Sequence, residues 1–355
     1  MAPSTTAAFI SGGANSFAPV NVPSQAHTCG VGRRRPLVKQ ACVQDGAGKI
    51  QVAARRGLPT MSWQVYTGGA HSDLEPGTPE YMVHMKATCG TLARLSAQGD
   101  VSGCDQLWAY ICAEARHIAH REHELSSFVS AAVLNQKSLV DAVAFVVAGK
   151  LASRALSAAV LFELCKEAVE ESTEYCSVCC MQEDIIAVMQ RDPACTRFVE
   201  PLLFFKGFHA LQAYRVSHVL WNQGRRLLAK QLHALTSKRL HVDIHPAARI
   251  GAGAFLDHAT GIVIGETCVL DRNVSLLHRV TLGGAGASTG KRHPDVMAGA
   301  FLGAGSTVLG PVRVGADAAV AACSLLLVDV PDDALAVGVP ARIRPPPPRP
   351  TIPQQ

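Results

Sequence analysis

The chain is predicted to be α + β: an all-α N-terminal domain followed by a left-handed parallel β-helix that extrudes one loop. Three observations predict it. Apolar residues recur at helical spacing from about Asp105 to Leu240, and an aliphatic residue or close substitute then returns at every sixth position. The second period is interrupted by a polar, Gly-rich stretch, "TLGGAGASTGKRHPDVMAGA". These patterns divide the chain into residues 1–75, 105–240, 241–344 and 345–355.

Composition sets the bounds. With 355 residues, 48% hydrophobic and 17% charged, the chain has the size of about two soluble domains. Aromatic residues make up only 5%, so the cores must be built from aliphatic and small side chains. Much of the net charge of +5 sits near the N-terminus, in Arg33, Arg34, Arg35, Lys39, Lys49, Arg55 and Arg56. The folded part is therefore close to neutral and carries no nucleic-acid footprint. The longest apolar run, Leu139 to Gly149, is too short to cross a bilayer, so no membrane contact is expected.

Taken in order, residues 1–75 are rich in Ala, Ser, Gly, Val and Arg, with Asp45 as the single acid before Asp73. This is the composition of a cleaved transit peptide. The polar, uncharged opening "MAPSTTAAFI" favours a plastid over a mitochondrion; an unrelated disordered tail is the alternative. In residues 105–240, "LWAYICAEARHIA" and "LVDAVAFVVAGKLASRALSAAVLFELCKEAV" carry the helical period, Pro193 and Pro201 break it, and "GFHALQAYRVSHVLWNQGRRLLAKQL" resumes it. The twelve cysteines give no framework. "CSVCC" lacks a second ligand pair for zinc, so its Cys176, Cys179 and Cys180 read as small helix residues in a reducing compartment.

From Ile244 the sixfold series runs through Ile250, Leu256, Ile262, Cys268, Val274 and Val280, and resumes at Val296, Leu302, Val308, Val314, Val320 and Leu326. One hexapeptide per side closes a triangular coil of about 18 residues, and stacked coils share an aliphatic core. Gly251, Gly253, Gly261, Gly265, Gly303, Gly305 and Gly315 fall near the corners. Val280 and Val296 are sixteen positions apart, so the intervening residues must leave the prism as a loop, a common carrier of function. In "AACSLLL" Cys323 stands where a corner glycine is expected, which predicts a distorted last coil. The tail "RPPPPRPTIPQQ" reads as polyproline II or disorder.

The aliphatic positions fill the core without His258 of "LDHATGIVIGET", so its imidazole points outward rather than serving as a buried structural histidine. Several motifs then occur in one order: "RDPA", "FKGFHALQAYR", "NQGRR", "VDIHPAA", "LDHATGIVIGET", "VTLGG", "KRHP" and "GVPARI". In these the chain resembles the serine O-acetyltransferases, hexapeptide acyltransferases that make O-acetyl-L-serine from acetyl-CoA and L-serine, over roughly residues 105 to 344. The chemistry agrees, because a serine hydroxyl needs a base as its Oγ attacks a thioester, and His258 is the natural candidate. A carboxylate on the other ring nitrogen would fix the tautomer. Asp243 precedes His258 by fifteen positions, close to one coil, and the resemblance makes the two a catalytic dyad.

The resemblance also implies that Asp192 and Asp257 take the substrate ammonium, that Arg292 takes its carboxylate, and that His293 lies beside it. Asp192 could instead cap a helix before Pro193, and Arg292 could be a solvated loop charge. Acetyl-CoA is expected along the groove between two prisms of a trimer, with Gly283, Gly284, Gly303, Ala304 and Arg342 as cofactor contacts and no metal. L-cysteine is expected as a feedback inhibitor, and a dimer of trimers as the assembly. Binding to O-acetylserine sulfhydrylase is expected to be weak or absent, because the chain ends in Gln355 rather than isoleucine. The alternatives are another hexapeptide O-acyltransferase acting on a sugar or antibiotic, a γ-type carbonic anhydrase using His258, His278 and His293, and an inactive regulatory paralogue that binds the sulfhydrylase.

Overall fold

The computed structural model describes residues 42–44, 50–52, 74–75, 78–97, 102–171, 177–286 and 289–345. Residues Met1–Ser72 form a unit of their own, in which Cys42–Gln44 pairs antiparallel with Ile50–Val52. The rest of the expected transit segment and residues 346–355 of the tail lie outside the described residues.

Nine α-helices are described: α1 Pro79–Ala97, α2 Ser102–Arg121, α3 Ser126–Val129, α4 Leu139–Leu151, α5 Ala158–Glu171, α6 Ser177–Arg191, α7 Val199–Phe204, α8 Lys206–Asn222 and α9 Arg226–Leu240. Helix α1 lies ahead of the stretch read as helical. It buries Tyr81, Met85, Cys89 and Leu92, one stripe at i, i+4, i+8 and i+11, and packs on α2 and α6. Helix α4 is apolar nearly all round and correspondingly buried, and Ser138 caps its start by accepting the Asp141 N–H at 3.2 Å. Glu114 of α2, only 2% exposed, accepts the N–H groups of Phe198 (3.2 Å) and Val199 (2.8 Å) and the Tyr81 hydroxyl. Burial pushes its carboxyl up to about 7. Among the described residues no helix is long and apolar enough to cross a membrane.

Helix α9 ends on His241 in the left-handed conformation (φ 56°), and the chain turns directly into a left-handed parallel β-helix. Its first face stacks Asp243–Ile244, Val263–Ile264, Thr281–Gly283, Thr307–Leu309 and Leu325–Leu326. The second stacks Arg249–Ile250, Val269–Leu270, Asp295–Val296 and Arg313–Val314, and the third runs from Phe255–Leu256 through Ser275–Leu276 and Phe301–Leu302 to Ala319–Val320. Leu335–Gly338 joins the third face, and Ala341–Arg344, which takes in the end of the "GVPARI" segment, folds back antiparallel upon it. The inward residues Ile244, Ile250, Leu256, Ile264, Leu270, Leu276, Leu282, Val296, Leu302, Val308, Val314, Val320 and Leu326 are all buried. Full burial stabilises by about 1.5–3 kcal/mol per such side chain, enough to hold strands of two or three residues in place.

Two details of the predicted register change. The series from Ile262 to Val280 is buried, but each member precedes the inward strand residue by two positions. The shift arises at "LDHATG": Asp243 pairs with Val263 and Leu256 with Leu276, so the first coil has twenty residues. Elsewhere Val263 pairs with Thr281 and Leu302 with Val320, at the regular eighteen. The last coil, expected to be distorted, keeps its register: Cys323 itself takes the left-handed corner (φ 56°), and its N–H reaches Ala304 O at 2.8 Å.

The helical domain is bound tightly to the first coils. A Cβ on Gly207 would lie 1.9 Å from Leu256 O, so α8 can approach the third face only with glycine there. Asp184 of α6 accepts two N–H groups of Arg215 at 2.8 Å each, while Arg215 donates to Ile250 O (3.2 Å) and Gly251 O (3.0 Å). Gly253 N donates to the same Asp184 at 3.0 Å, and Tyr214 donates to Ala248 O at 2.5 Å. The "GFHALQAYR" motif is thus the seam between helices and prism.

Candidate active site

The corner between the third and first faces carries His258. The two residues in excess of eighteen are accommodated there, and both His258 (φ 52°) and Ala259 (φ 58°) are left-handed. Thr260 N reaches His258 O at 2.7 Å and Gly261 N reaches His241 O at 2.7 Å, while Lys206 at the start of α8 donates to the Thr260 hydroxyl. This frame turns the imidazole outward, with the side chain 76% exposed. One coil further on lies His278, its ring 5.8 Å from that of His258. A cleft of about 490 Å³ is lined by His258, Thr260, His278 and Arg279. By the strand register the same corner column continues to Ala304, whose neighbour Gly305 donates to His278 O at 2.9 Å.

The loop at residues 284–294 leaves the opposite edge of the first face and carries a second group. Thr267 organises it: its hydroxyl accepts the N–H groups of Arg292 and His293, both at 3.1 Å, and lies 2.9 Å from His293 Nδ1. His293 Nδ1 also accepts Thr267 N–H at 3.2 Å, which leaves Nε2 to carry the proton of the neutral ring. Burial, then the cations of Arg292 and Lys291, hold this imidazole below the usual histidine range. A Cβ on Gly265 would lie 2.0 Å from the His293 ring, and one on Gly284 would lie 3.2 Å from it, so two glycines form the slot for the ring. Arg292 is no solvated loop charge: it donates to Glu266 Oε2 at 2.5 Å with 24% of its side chain exposed, and it holds the Glu266 carboxyl below its usual range.

Asp243 stands on the first face beside Val263, and its carboxylate is held by α9, not by His258. Its Oδ1 accepts His233 Nε2 at 2.8 Å and its Oδ2 accepts the Ser237 hydroxyl at 3.2 Å; the His233 bond holds its carboxyl below the usual range. Among the described residues no hydrogen bond joins it to His258 within the chain. Fifteen positions fall short of a coil that is in fact twenty residues long, so the dyad that the resemblance implies does not close inside one prism. Asp257 Oδ1 stands 3.8 Å from His258 Nε2, beyond hydrogen-bond range.

The remaining expected residues divide between roles. Asp192 accepts Ala194 N–H at 2.8 Å and so caps the turn at Pro193, while Arg191 beside it grips Gly253 O (3.1 Å) and Asn273 Oδ1 (3.0 Å). Helices α6 and α8 both pack on Phe255–Leu256, which brings the "RDPA" turn over the face that ends at Asp257. Gly283 pairs with Leu309, and Gly284 belongs with the His293 slot. Gly303 is required by stacking, since a Cβ would lie 2.6 Å from Ala322 N, and its N–H is bonded to Val320 O at 2.8 Å. Arg342 is exposed on the edge hairpin. Sequence reasoning missed His233 and Ser237, which lie outside any quoted motif, and gave no role to Lys206, Glu266 and Thr267, although "FKGFHALQAYR" and "LDHATGIVIGET" contain them.

A family model for the N-terminal region of serine acetyltransferases matches residues 107–213. Serine acetyltransferase of Escherichia coli K12 is 48% identical over 244 residues, which make up 68% of this chain and 88% of the relative. Serine acetyltransferase 4 of Arabidopsis thaliana is 46% identical over 243 residues, 68% of each chain. The crystal structure of the Neisseria gonorrhoeae serine acetyltransferase superposes with a TM-score of 0.66 at 43% identity, over 68% of this chain and 91% of that one. Soybean serine acetyltransferase complexed with serine does so with a TM-score of 0.65 at 45% identity, over 67% and 97%. Nearly half the residues are identical over 88% of the bacterial relative, and helices lead into a hexapeptide prism with the motifs in place, so the chain belongs to the serine acetyltransferase family.

Proposed function

We propose that this chain transfers the acetyl group of acetyl-CoA to the Oγ of L-serine, at a site closed between the His258 corner of one prism and the Arg292 edge of another copy. The carrying observation is that the two groups of polar residues lie on opposite edges of the first face. The strand segment between them, Gly261 to Gly265, spans about 13 Å at some 3.3 Å per residue. Serine reaches only about 4 Å from its hydroxyl to its carboxylate on standard bond lengths. The two edges of one chain are thus set wider apart than serine is long, whereas two prisms side by side can bring His258 to the hydroxyl and Arg292 to the carboxylate of one serine.

In this site the His258 imidazole takes the hydroxyl proton as Oγ attacks the thioester carbonyl. The tetrahedral intermediate collapses, the CoA thiolate leaves, and the imidazolium returns the proton to it. Asp243 of the adjacent copy orients the imidazole and stabilises its charged form. Asp192 and Asp257 take the serine ammonium. Arg292 takes the carboxylate by exchanging part of its bond to Glu266, with His293 beside it. Acetyl-CoA lies along the corner column past His278, Gly303 and Ala304, with Gly283, Gly284 and Arg342 as further contacts; a backbone amide at the glycines would meet the oxyanion. Solved family members held serine, CoA or cysteine. L-cysteine carries the same ammonium and carboxylate as serine, and we assign it to the same groups as an inhibitor. The assembly we propose is a dimer of trimers in a plastid.

The test is serine-dependent release of CoA thiol by the purified chain. His258→Ala should lower kcat by about 10²–10⁴-fold, the usual worth of a general base. Wild-type turnover in that variant would remove the assignment.

A further inference from the structure

We propose that His233 is a positioning residue for acyl transfer, which fixes the plane and charge of the Asp243 carboxylate; this rests on the reading that Asp243 serves His258 of the adjacent copy. His233 and Ser237 stand one turn apart on α9 and bond one oxygen each of the same carboxylate, His233 Nε2 to Oδ1 at 2.8 Å and Ser237 Oγ to Oδ2 at 3.2 Å. A carboxylate held at both oxygens cannot rotate about its Cβ–Cγ bond. Asp243 still leaves 46% of its side chain exposed, against 20% for His233, so the anion is gripped from behind and open in front.

The grip is itself held. The His233 ring packs at 6.1 Å and 64° against that of His245, which stands at 5.1 Å and 73° to Trp221. His245 Nδ1 accepts Ala247 N–H at 3.1 Å, which fixes its ring. Trp221 also lies under Arg226 (5.1 Å) and Lys230 (5.9 Å). A run of three rings packed edge to face therefore sets the angle at which His233 delivers its N–H. Orientation of the dyad carboxylate sets the tautomer and orientation of the imidazole it serves. The effect should appear in kcat rather than in substrate binding.

The experiment compares His233→Leu, His233→Gln, Asp243→Asn and the double variant His233→Leu/Asp243→Asn. Leucine keeps the bulk and removes the donor; the glutamine amide returns an N–H at similar reach. We expect His233→Leu to lower kcat about tenfold, the scale of one hydrogen bond to a charged group. KM for both substrates should stay within about twofold, and His233→Gln should recover kcat to within about threefold of wild type. In the Asp243→Asn background the leucine substitution should cost nothing further. Wild-type kcat in His233→Leu beside an impaired Asp243→Asn would overturn the proposal and leave the dyad standing. Wild-type kcat in Asp243→Asn would overturn the dyad, and the role of His233 with it. An equal loss from His233→Leu in both backgrounds, or no recovery with glutamine, would show that His233 acts through packing and not through the carboxylate.

Discussion

Mixing two inactive variants tests whether the site is shared between copies. His258→Ala removes the base from one edge of the first face, and Arg292→Ala removes the carboxylate clamp from the other. With the edges about 13 Å apart along the strand, each site draws these two side chains from different protomers on this reading. In an equal random mixture, half of the His258-bearing edges and half of the Arg292-bearing edges are intact. About one quarter of the sites are then whole, as independent assortment in a cyclic oligomer requires. Each variant alone should retain at most about 1% of wild-type activity, given the worth of a general base and of a charge-assisted hydrogen-bond pair. The assay is co-refolding of the two variants from denaturant, followed by serine-dependent thiol release per total protein. Recovery near 25% of wild type is expected from that assortment. Activity fixed at the mean of the two separate variants would place the whole site in one chain and refute the geometry.

Two further outcomes test the frame around the site. Gly207→Ala would set a Cβ 1.9 Å from Leu256 O, so α8 must withdraw from the coil that presents Asp257 and His258. Thermal unfolding should show a loss of about 1–3 kcal/mol, the usual cost of overpacking, accompanied by a fall in kcat; an unchanged melting midpoint would deny the close contact. The buried Glu114 carboxyl, pushed up to about 7, lies above its unfolded value, so its contribution to stability is complete below the ordinary carboxylate range and is lost as pH rises toward 7. The loss amounts to about 3 kcal/mol at most, and Glu114→Gln should flatten this dependence in denaturant titrations between pH 5 and pH 8.

The prism was legible because its core demands an aliphatic side chain at each pass, and a demand repeated over a dozen coil sides survives local exceptions. The outward imidazole was legible for the same reason: every core position was already filled without His258. Helix α1 was missed, although Tyr81, Met85, Cys89 and Leu92 carry a helical stripe, because Thr88, Gly90 and Thr91 interrupt it with residues of low helix propensity. Spacing could not place Asp243 relative to His258, because fifteen positions fall short of a coil that the corner excess lengthens to twenty residues. Glu266, Thr267 and His233 depend on which edge faces which loop, a relation that exists only after the coils are stacked.

That corner explains why a helical domain is attached to a prism that already has a core of its own. Left-handed φ at two successive residues that are not glycine, His258 and Ala259, costs about 1–2 kcal/mol each, so contacts elsewhere must hold this corner in place. The opposing contacts come largely from the helices. Gly207 lets α8 bear directly on Leu256, Lys206 holds Thr260, and His241 at the end of α9 receives Gly261 N–H. Behind them the Asp184–Arg215 pair fixes α6 and α8 to Ile250, Gly251 and Gly253 of the same coil. The strain is thereby carried by the seam between domains, and its product is one imidazole standing clear of the prism where a second copy can reach it.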